Sequence, residues 1–408
     1  MTGSHLAASF TPAQRVQRIK ASPSTVAAAR VRELKAAGEQ IFDFTVGQPD
    51  FDTPQHIQDA ATRAMAAGET RYTSVNGTVE LRAAIRQRMQ RTSGIAYPDE
   101  SVTIGGGAKQ VIYLAFSATL DAHDEVIIPT PYWVSYPDMV AANDGTPVIV
   151  QTKAEDRYKI TPEQLRAAIT ERTRWLILNS PSNPTGVAYT KPELQALAAV
   201  LEEVPHVWVL TDEIYDDITF GPEPLVGLAE VAPSIRSRVL TVNGVSKSYA
   251  MTGWRLGYAV GDPALIGAIN LLQSQVSTCP SSVSQAAAVA ALTGDQTFVH
   301  ETVRAYRERR DRALDLINTI DGLHPIKPDG AFYLFVDCAG LIGRRTPQGQ
   351  ELTSDQDVTL YLLEEAGVAV IQGSAFGAEP FFRMSFATDL DTIEAGVAAI
   401  SEAVAQLT

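Results

Sequence analysis

Cysteine is nearly absent from this chain of 408 residues. Cys279 and Cys338 are too few and too far apart for a disulfide framework, and no Cys-x-x-Cys pair offers a metal or redox site. Six histidines (His5, His56, His123, His206, His300, His324) are scattered, with no His-Glu-x-x-His, so a metal centre is not expected. No apolar run reaches about 18 residues, which excludes a membrane-spanning helix. The first residues lack a charged segment followed by an apolar one, so no signal peptide is read and a cytoplasmic location is expected. Positive charge is also short. Lys and Arg number 33 against 47 Asp and Glu, a net charge of -14. That balance argues against a nucleic-acid scaffold or a binder of anionic membranes. Repeats and low-complexity segments are missing too.

What remains is a globular composition, 45% hydrophobic and 20% charged. The length fits about two to four domains or one large α/β unit. A helical pattern over residues 26–37 ends at Gly38, and a short strand over 41–45 runs into Gly47-Gln-Pro-Asp50. Apolar runs of four or five residues then alternate with helical segments, at 101–104, 125–129, 175–179, 207–211, 239–242 and 256–260. This texture predicts an α/β fold: a mostly parallel sheet with helices on both faces. After about residue 300 the texture changes. An arginine-rich helix over 301–321, read as a solvated face, precedes the strand 331–336 and a strand–helix finish. The expected division is an N-terminal arm and part of a small domain in 1–50, a large domain in 51–300 and a smaller α+β domain in 301–408.

Ligands of open parallel sheets bind beyond the carboxyl ends of the strands. Here those ends lead into Gly105-Gly-Gly-Ala-Lys-Gln110, Thr130-Pro-Tyr-Trp133, Asn179-Ser-Pro-Ser-Asn-Pro-Thr-Gly186, Asp212-Glu-Ile-Tyr215 and Asn243-Gly-Val-Ser-Lys-Ser248. The glycine stretch opens a helix, where free amides and the helix dipole favour an anion. Walker and Gly-x-Gly-x-x-Gly motifs are absent, so one phosphate fits better than a nucleotide. Gly-x-Ser-x-Gly and Ser-x-x-Lys are absent too, which disfavours a serine hydrolase. Asp212 would be costly to bury alone. It either caps the next turn or keeps a heterocyclic nitrogen protonated. Lys247 is either a surface lysine or an amine whose proton affinity falls on desolvation. A phosphate cup, an aromatic plate at Trp133, an aspartate for a ring nitrogen and a lysine for an aldehyde together describe pyridoxal phosphate.

The stretch 246–258, Ser-Lys-Ser-Tyr-Ala-Met-Thr-Gly-Trp-Arg-Leu-Gly-Tyr, resembles the cofactor-lysine signature of fold type I aminotransferases. The stretches 179–186 and 212–215 match that family in order. Residues 131–136, 47–52 and 373–377 are most similar to the bacterial aspartate aminotransferases of subgroup I-beta. The resemblance implies a Schiff base on Lys247, which then shuttles the proton, and Asp212 at the pyridine nitrogen. It implies Tyr215 and Asn183 at the 3′-oxygen, and Trp133 on the ring. Arg255, Ser246 and the amides of Gly107, Ala108 and Lys109 would take the phosphate. Tyr72 would reach the phosphate of a neighbouring subunit, implying a homodimer with shared sites. Arg383 would grip the substrate α-carboxylate, helped by Asn183 and the Gly47 backbone, with Trp133 alongside. Lys109 would meet a distal carboxylate, with Ser22 and Thr25 closing over it.

The implied activity is ping-pong transfer of the amino group of an L-amino acid, most simply aspartate, to 2-oxoglutarate. Gln48, Gly106, Ser182 and the long loop 340–354 depart from common choices. Aromatic amino acids, prephenate, glutamate or basic amino acids stay open as substrates, as do oxidation, decarboxylation and β-elimination on the same cofactor.

Overall fold

Short β-branched runs bounded by turn residues form the strands. The computed structural model, which describes residues 10–408 apart from Ser22 and Glu223, arranges them in three sheets. A one-turn helix (Gln14–Gln17), helix Pro23–Ala36 and the short strand β1 (Phe42–Asp43) come first. Seven strands come next: β2 (Val102–Gly105), β3 (Glu125–Pro129), β4 (Thr146–Val150), β5 (Thr173–Asn179), β6 (Trp208–Asp212), β7 (Val239–Gly244) and β8 (Gly257–Val260). They make one sheet in the order β2-β8-β7-β6-β5-β3-β4. β8 runs antiparallel to both its neighbours, and the other pairings are parallel. The carboxyl ends of β2 to β7 therefore share one edge of the sheet.

Both faces of this sheet are covered, as the unbroken apolar runs require. Along β3, Val126 and Ile128 enter a core with helices Ala108–Thr119 and Pro263–Val276. Ile127, on the opposite face, packs with helix Lys191–Glu202. Trp175 on β5 is 1% exposed, and its indole donates to Thr119 Oγ1 at 2.9 Å.

The C-terminal part builds a second layer from β9 (His324–Ile326), β10 (Tyr333–Asp337), β11 (Val368–Ala369), β12 (Ile371–Gln372) and β13 (Phe381–Ser385). Four of these form an antiparallel sheet, β12-β13-β10-β9, while β11 pairs in parallel with β1, Phe42 opposite Val368. The N-terminal segment is thus an integral part of this layer. The arginine-rich helix spans Thr297–Ile317, and its face is not wholly solvated. Arg304, Arg307 and Arg312 are exposed. Arg309 instead forks onto Asp50 at 2.8 and 2.9 Å, and Arg310 is buried with its guanidinium 4.6 Å from the Phe220 ring. Long arginine stems can cover apolar surface in this way, which a charge count does not reveal. Among the described residues no helix is long and apolar enough to cross a membrane.

Arg88, on helix Val79–Ser93, ties the sheet together behind the strand ends. It is 3% exposed and donates to both Asp216 oxygens at 3.0 and 2.9 Å and to Asp217 at 2.9 Å. Asn243 at the end of β7 also donates to Asp216, at 2.9 Å. The loop after β6 is thereby pinned to β7. Replacing Arg88 with Leu leaves the half-buried Asp216 carboxylate with only its Asn243 hydrogen bond, and chemical denaturation should read a loss of about 1–3 kcal/mol. A loss below about 1 kcal/mol would show that the pair does not hold this loop.

Candidate active site

Asp212 is the last residue of β6 and is 5% exposed. Burial pushes its carboxyl above the usual range. Hydrogen bonds from the Tyr136 hydroxyl (2.7 Å) and the Ile214 amide (3.3 Å), and the charge of Lys247, oppose that rise. The Ile214 bond is the turn-capping contact that the sequence allowed. Asn179 at the end of β5 donates to the Asp212 carbonyl at 2.8 Å and accepts from the Asn183 amide at 2.7 Å, locking the two neighbouring strand ends together.

Lys247 lies three residues beyond β7, the strand paired with β6 through Asp212 and Val242. Its Nζ donates to the Gly47 carbonyl at 2.5 Å and stands 5.9 Å from the ring centroids of both Tyr215 and Phe332. Burial lowers its pKa to about 8, helped by the charges of Arg383, Arg255 and Lys109 and opposed by Asp212. An amine that gives up its proton near neutrality is a usable base and nucleophile.

The glycine loop is shaped for close approach. Gly105, Gly257 and Gly244 lie side by side across β2, β8 and β7. A Cβ on Gly257 would come within 2.2 Å of the Ala108 nitrogen, so glycine lets the helix start press onto the sheet. Gly107, at φ +98°, has the same relation to Arg255, whose Nη2 would be 2.5 Å from an added Cβ. Arg255 donates to the Thr252 carbonyl at 2.9 Å. The guanidinium thus stands beside the amino end of helix Ala108–Thr119, where partial positive charge already gathers.

Arg383 on β13 is 2% exposed. It donates to Asn183 Oδ1 at 2.9 Å and to the Thr45 carbonyl at 2.8 Å, and its buried Nε has no partner among the described residues. Tyr333 lies 4.4 Å from it ring-to-guanidinium, and Phe376 5.1 Å. Burial depresses its pKa, against the pull of Tyr333 and Tyr215. A buried arginine with an idle N–H is a waiting anion site. Lys109 is more exposed. It donates to Ser135 Oγ at 3.1 Å and lies 4.6 Å from the Trp133 ring, with burial and Arg255 lowering its pKa.

One cavity of about 350 Å³ collects these groups. Gly47, Ala108, Lys109, Trp133, Asn183, Asp212, Tyr215, Ser246, Lys247, Arg255 and Arg383 all line it. Gly107 is outside the lining and backs Arg255. Tyr72 does not reach this cavity in its own chain. It is 86% exposed, beside Arg71 and Cys279 at another surface depression. Thr25 is exposed and does not line the cavity, and Ser22 lies outside the described residues. The sequence reading missed Tyr136, Thr252 and Tyr333 as lining residues.

The donor set fits pyridoxal phosphate: a buried carboxylate, an amine of lowered pKa, an amide-and-guanidinium cup and an aromatic wall line one cavity. A family model described as "Aminotransferase class I and II" matches residues 39–400. The chain belongs to this aminotransferase family. It is 49% identical over 381 residues to the aspartate aminotransferase of Rhizobium meliloti (strain 1021), covering 93% of each. It is 48% identical to an aspartate/prephenate aminotransferase of Cereibacter sphaeroides, covering 91% of this chain and 93% of that one. The crystal structure of an aspartate aminotransferase from Rhizobium meliloti superposes with a TM-score of 0.96 at 47% identity, over 98% of this chain and 100% of the other. A Thermus thermophilus aspartate aminotransferase with maleate gives 0.89 at 37%, over 97% and 100%.

For this aminotransferase the lowered pKa of Lys247 sets a pH profile. The neutral amine is the nucleophile, and its fraction grows about tenfold per unit up to the pKa. Condensation of cofactor-free protein with a small aromatic aldehyde, trapped with borohydride at Lys247, should speed up to about pH 8 and level off above it. A rate still climbing tenfold per unit through pH 10 would mean an ordinary, solvated lysine.

Proposed function

We propose that this aminotransferase uses pyridoxal phosphate to move the amino group of L-aspartate to 2-oxoglutarate. The observation that carries the substrate reading is the placement of two cations in one cavity. Arg383 is fixed by Asn183 and Thr45, and Lys109 is fixed separately by Ser135 and Trp133. A dicarboxylate has one group for each.

Pyridoxal phosphate, when bound, supplies an electron sink that makes the α-proton of an amino acid acidic. The chain's own residues supply the rest. Arg255, Ser246 and the amides of Ala108 and Lys109 would hold the phosphate, and Trp133 would lie beside the ring; the Gly107 amide already donates to the Gly105 carbonyl at 2.8 Å. Asp212, hydrogen-bonded by Tyr136 and Ile214, would hold a proton at the ring nitrogen. Tyr215 and Asn183 serve the ring's 3′-oxygen. Arg383 orients the α-carboxylate, with Asn183 and Gly47 beside it. Lys247 would anchor the cofactor through its Nζ, the same atom that would take the α-proton and give it back.

We further read residues 51–300 as the cofactor-binding unit and 1–50 with 301–408 as the smaller unit. The pairing of β1 with β11 supports that grouping. The exposure of Tyr72 supports a homodimer in which it serves the neighbouring subunit's site. Prephenate as an amino acceptor is the second reading, favoured by relatives named aspartate/prephenate aminotransferases.

Lys247→Ala should abolish turnover. Lys109→Ala should lower kcat/KM for aspartate about a hundredfold, roughly a lost charge-assisted pair, yet leave an aromatic donor within about threefold. Equal losses on both donors would remove Lys109 from distal-carboxylate binding.

A further inference from the structure

Tyr333 has no part in the roles above, yet it touches three of them. Its hydroxyl is 2.8 Å from that of Tyr215, and its ring faces the Arg383 guanidinium at 4.4 Å. A Cβ on Gly47 would come within 2.9 Å of its oxygen. Tyr333 is 1% exposed and Tyr215 3%. Among the described residues neither hydroxyl has another hydrogen-bond partner.

A hydroxyl has one proton to give and can accept as well. If Tyr215 donates to Tyr333, the Tyr215 proton is spent inside the pair and none is left on Tyr215 for an acceptor in the cavity. If Tyr333 donates to Tyr215, the Tyr215 proton faces the cavity that both residues line. The second arrangement leaves no buried donor idle once an acceptor stands in the cavity. Arg383 favours it too, because a cation over a phenol ring draws density from the hydroxyl and makes it a stronger donor. The other charged groups facing the pair are Asp212 from β6 and Lys247 from the loop after β7. Tyr333 and Arg383 both come from the small antiparallel sheet, whereas Tyr215 lies just beyond β6.

We propose that Tyr333 is a positioning residue of this reaction: it donates to Tyr215, directs the Tyr215 proton at the phenolic oxygen of the bound cofactor, and transmits to that bond the neutralisation of Arg383 by a substrate carboxylate. The proposal rests on the cofactor reading above.

The test uses the cofactor-loaded protein and its Tyr333→Phe, Tyr215→Phe and double variants. The pH midpoint of the visible band is titrated without and with maleate, and the cofactor dissociation constant is measured by dialysis. Losing a donor at one remove leaves the phenolic oxygen more basic, so it retains the neighbouring proton longer. Tyr333→Phe should therefore raise the midpoint by about half a unit to one unit and weaken cofactor binding about three- to tenfold. The shift caused by maleate should shrink. In the Tyr215→Phe background the Tyr333→Phe change should add nothing. If Tyr333→Phe does not fold, 3-fluorotyrosine placed at position 333 carries the test. It is nearly isosteric and more acidic, and should move the midpoint downward. An unmoved midpoint and dissociation constant overturn the proposal, as does an equal shift when Tyr215 is already Phe. Wild-type protein without a visible band would instead remove the cofactor reading itself.

Discussion

An amine and a carboxylate withdrawn from water within one cavity set the terms for the rest of the molecule. Asp212 and Lys247 come from neighbouring parallel strands, and burial disfavours the charge on each. Neither would stay in place without local compensation. Tyr136, the Ile214 amide and the Asn179 link hold the first, and the Gly47 carbonyl holds the second. Behind them the Arg88–Asp216–Asn243 cluster fixes the spacing of the two strands. The lysine's lowered pKa is therefore a product of the sheet rather than of the residue alone.

The second half of the site comes from elsewhere in the chain. Arg383 and Tyr333 project from the small antiparallel sheet, and Thr45 and Gly47 lie just past β1, which is sewn into the C-terminal layer. The buried guanidinium of Arg383 and the amine of Lys247 thus meet at a seam between two sheets. The hydroxyl contact of Tyr333 with Tyr215 crosses that seam, as does the bond from Arg383 to Asn183. On the proposed reading, a substrate carboxylate at Arg383 would act on groups that also line the cofactor side of the cavity.

Much of this was legible in the sequence. The apolar runs located the strands, and the segments at their carboxyl ends held Asp212, Lys247, Asn183 and the glycine loop. The reason is physical: a parallel sheet aligns its carboxyl ends, so residues there share an edge whatever their separation in sequence. Tyr136 and Tyr333 escaped for a matching reason. Tyr136 stands in the short helix Ser135–Ala142 as one aromatic among core residues, and its partner Asp212 is 76 positions away. Tyr333 lies in a strand so apolar that it reads as core, and its polar partner is 118 positions away. Arg309 and Arg310 were misread because charge patterning reports composition, not which stems lie against Asp50 or Phe220. The antiparallel run of β8 was likewise hidden, since an apolar run carries no sign of its direction.

The most direct test of the account is the visible absorption spectrum of the purified protein, loaded with pyridoxal phosphate, before and after L-aspartate alone. The account predicts a pyridoxal band that is lost in favour of the pyridoxamine form, with one oxaloacetate released per site. Absence of any band after incubation with pyridoxal phosphate would contradict the assignment of Lys247 and Asp212 and the reading of the cavity built on them.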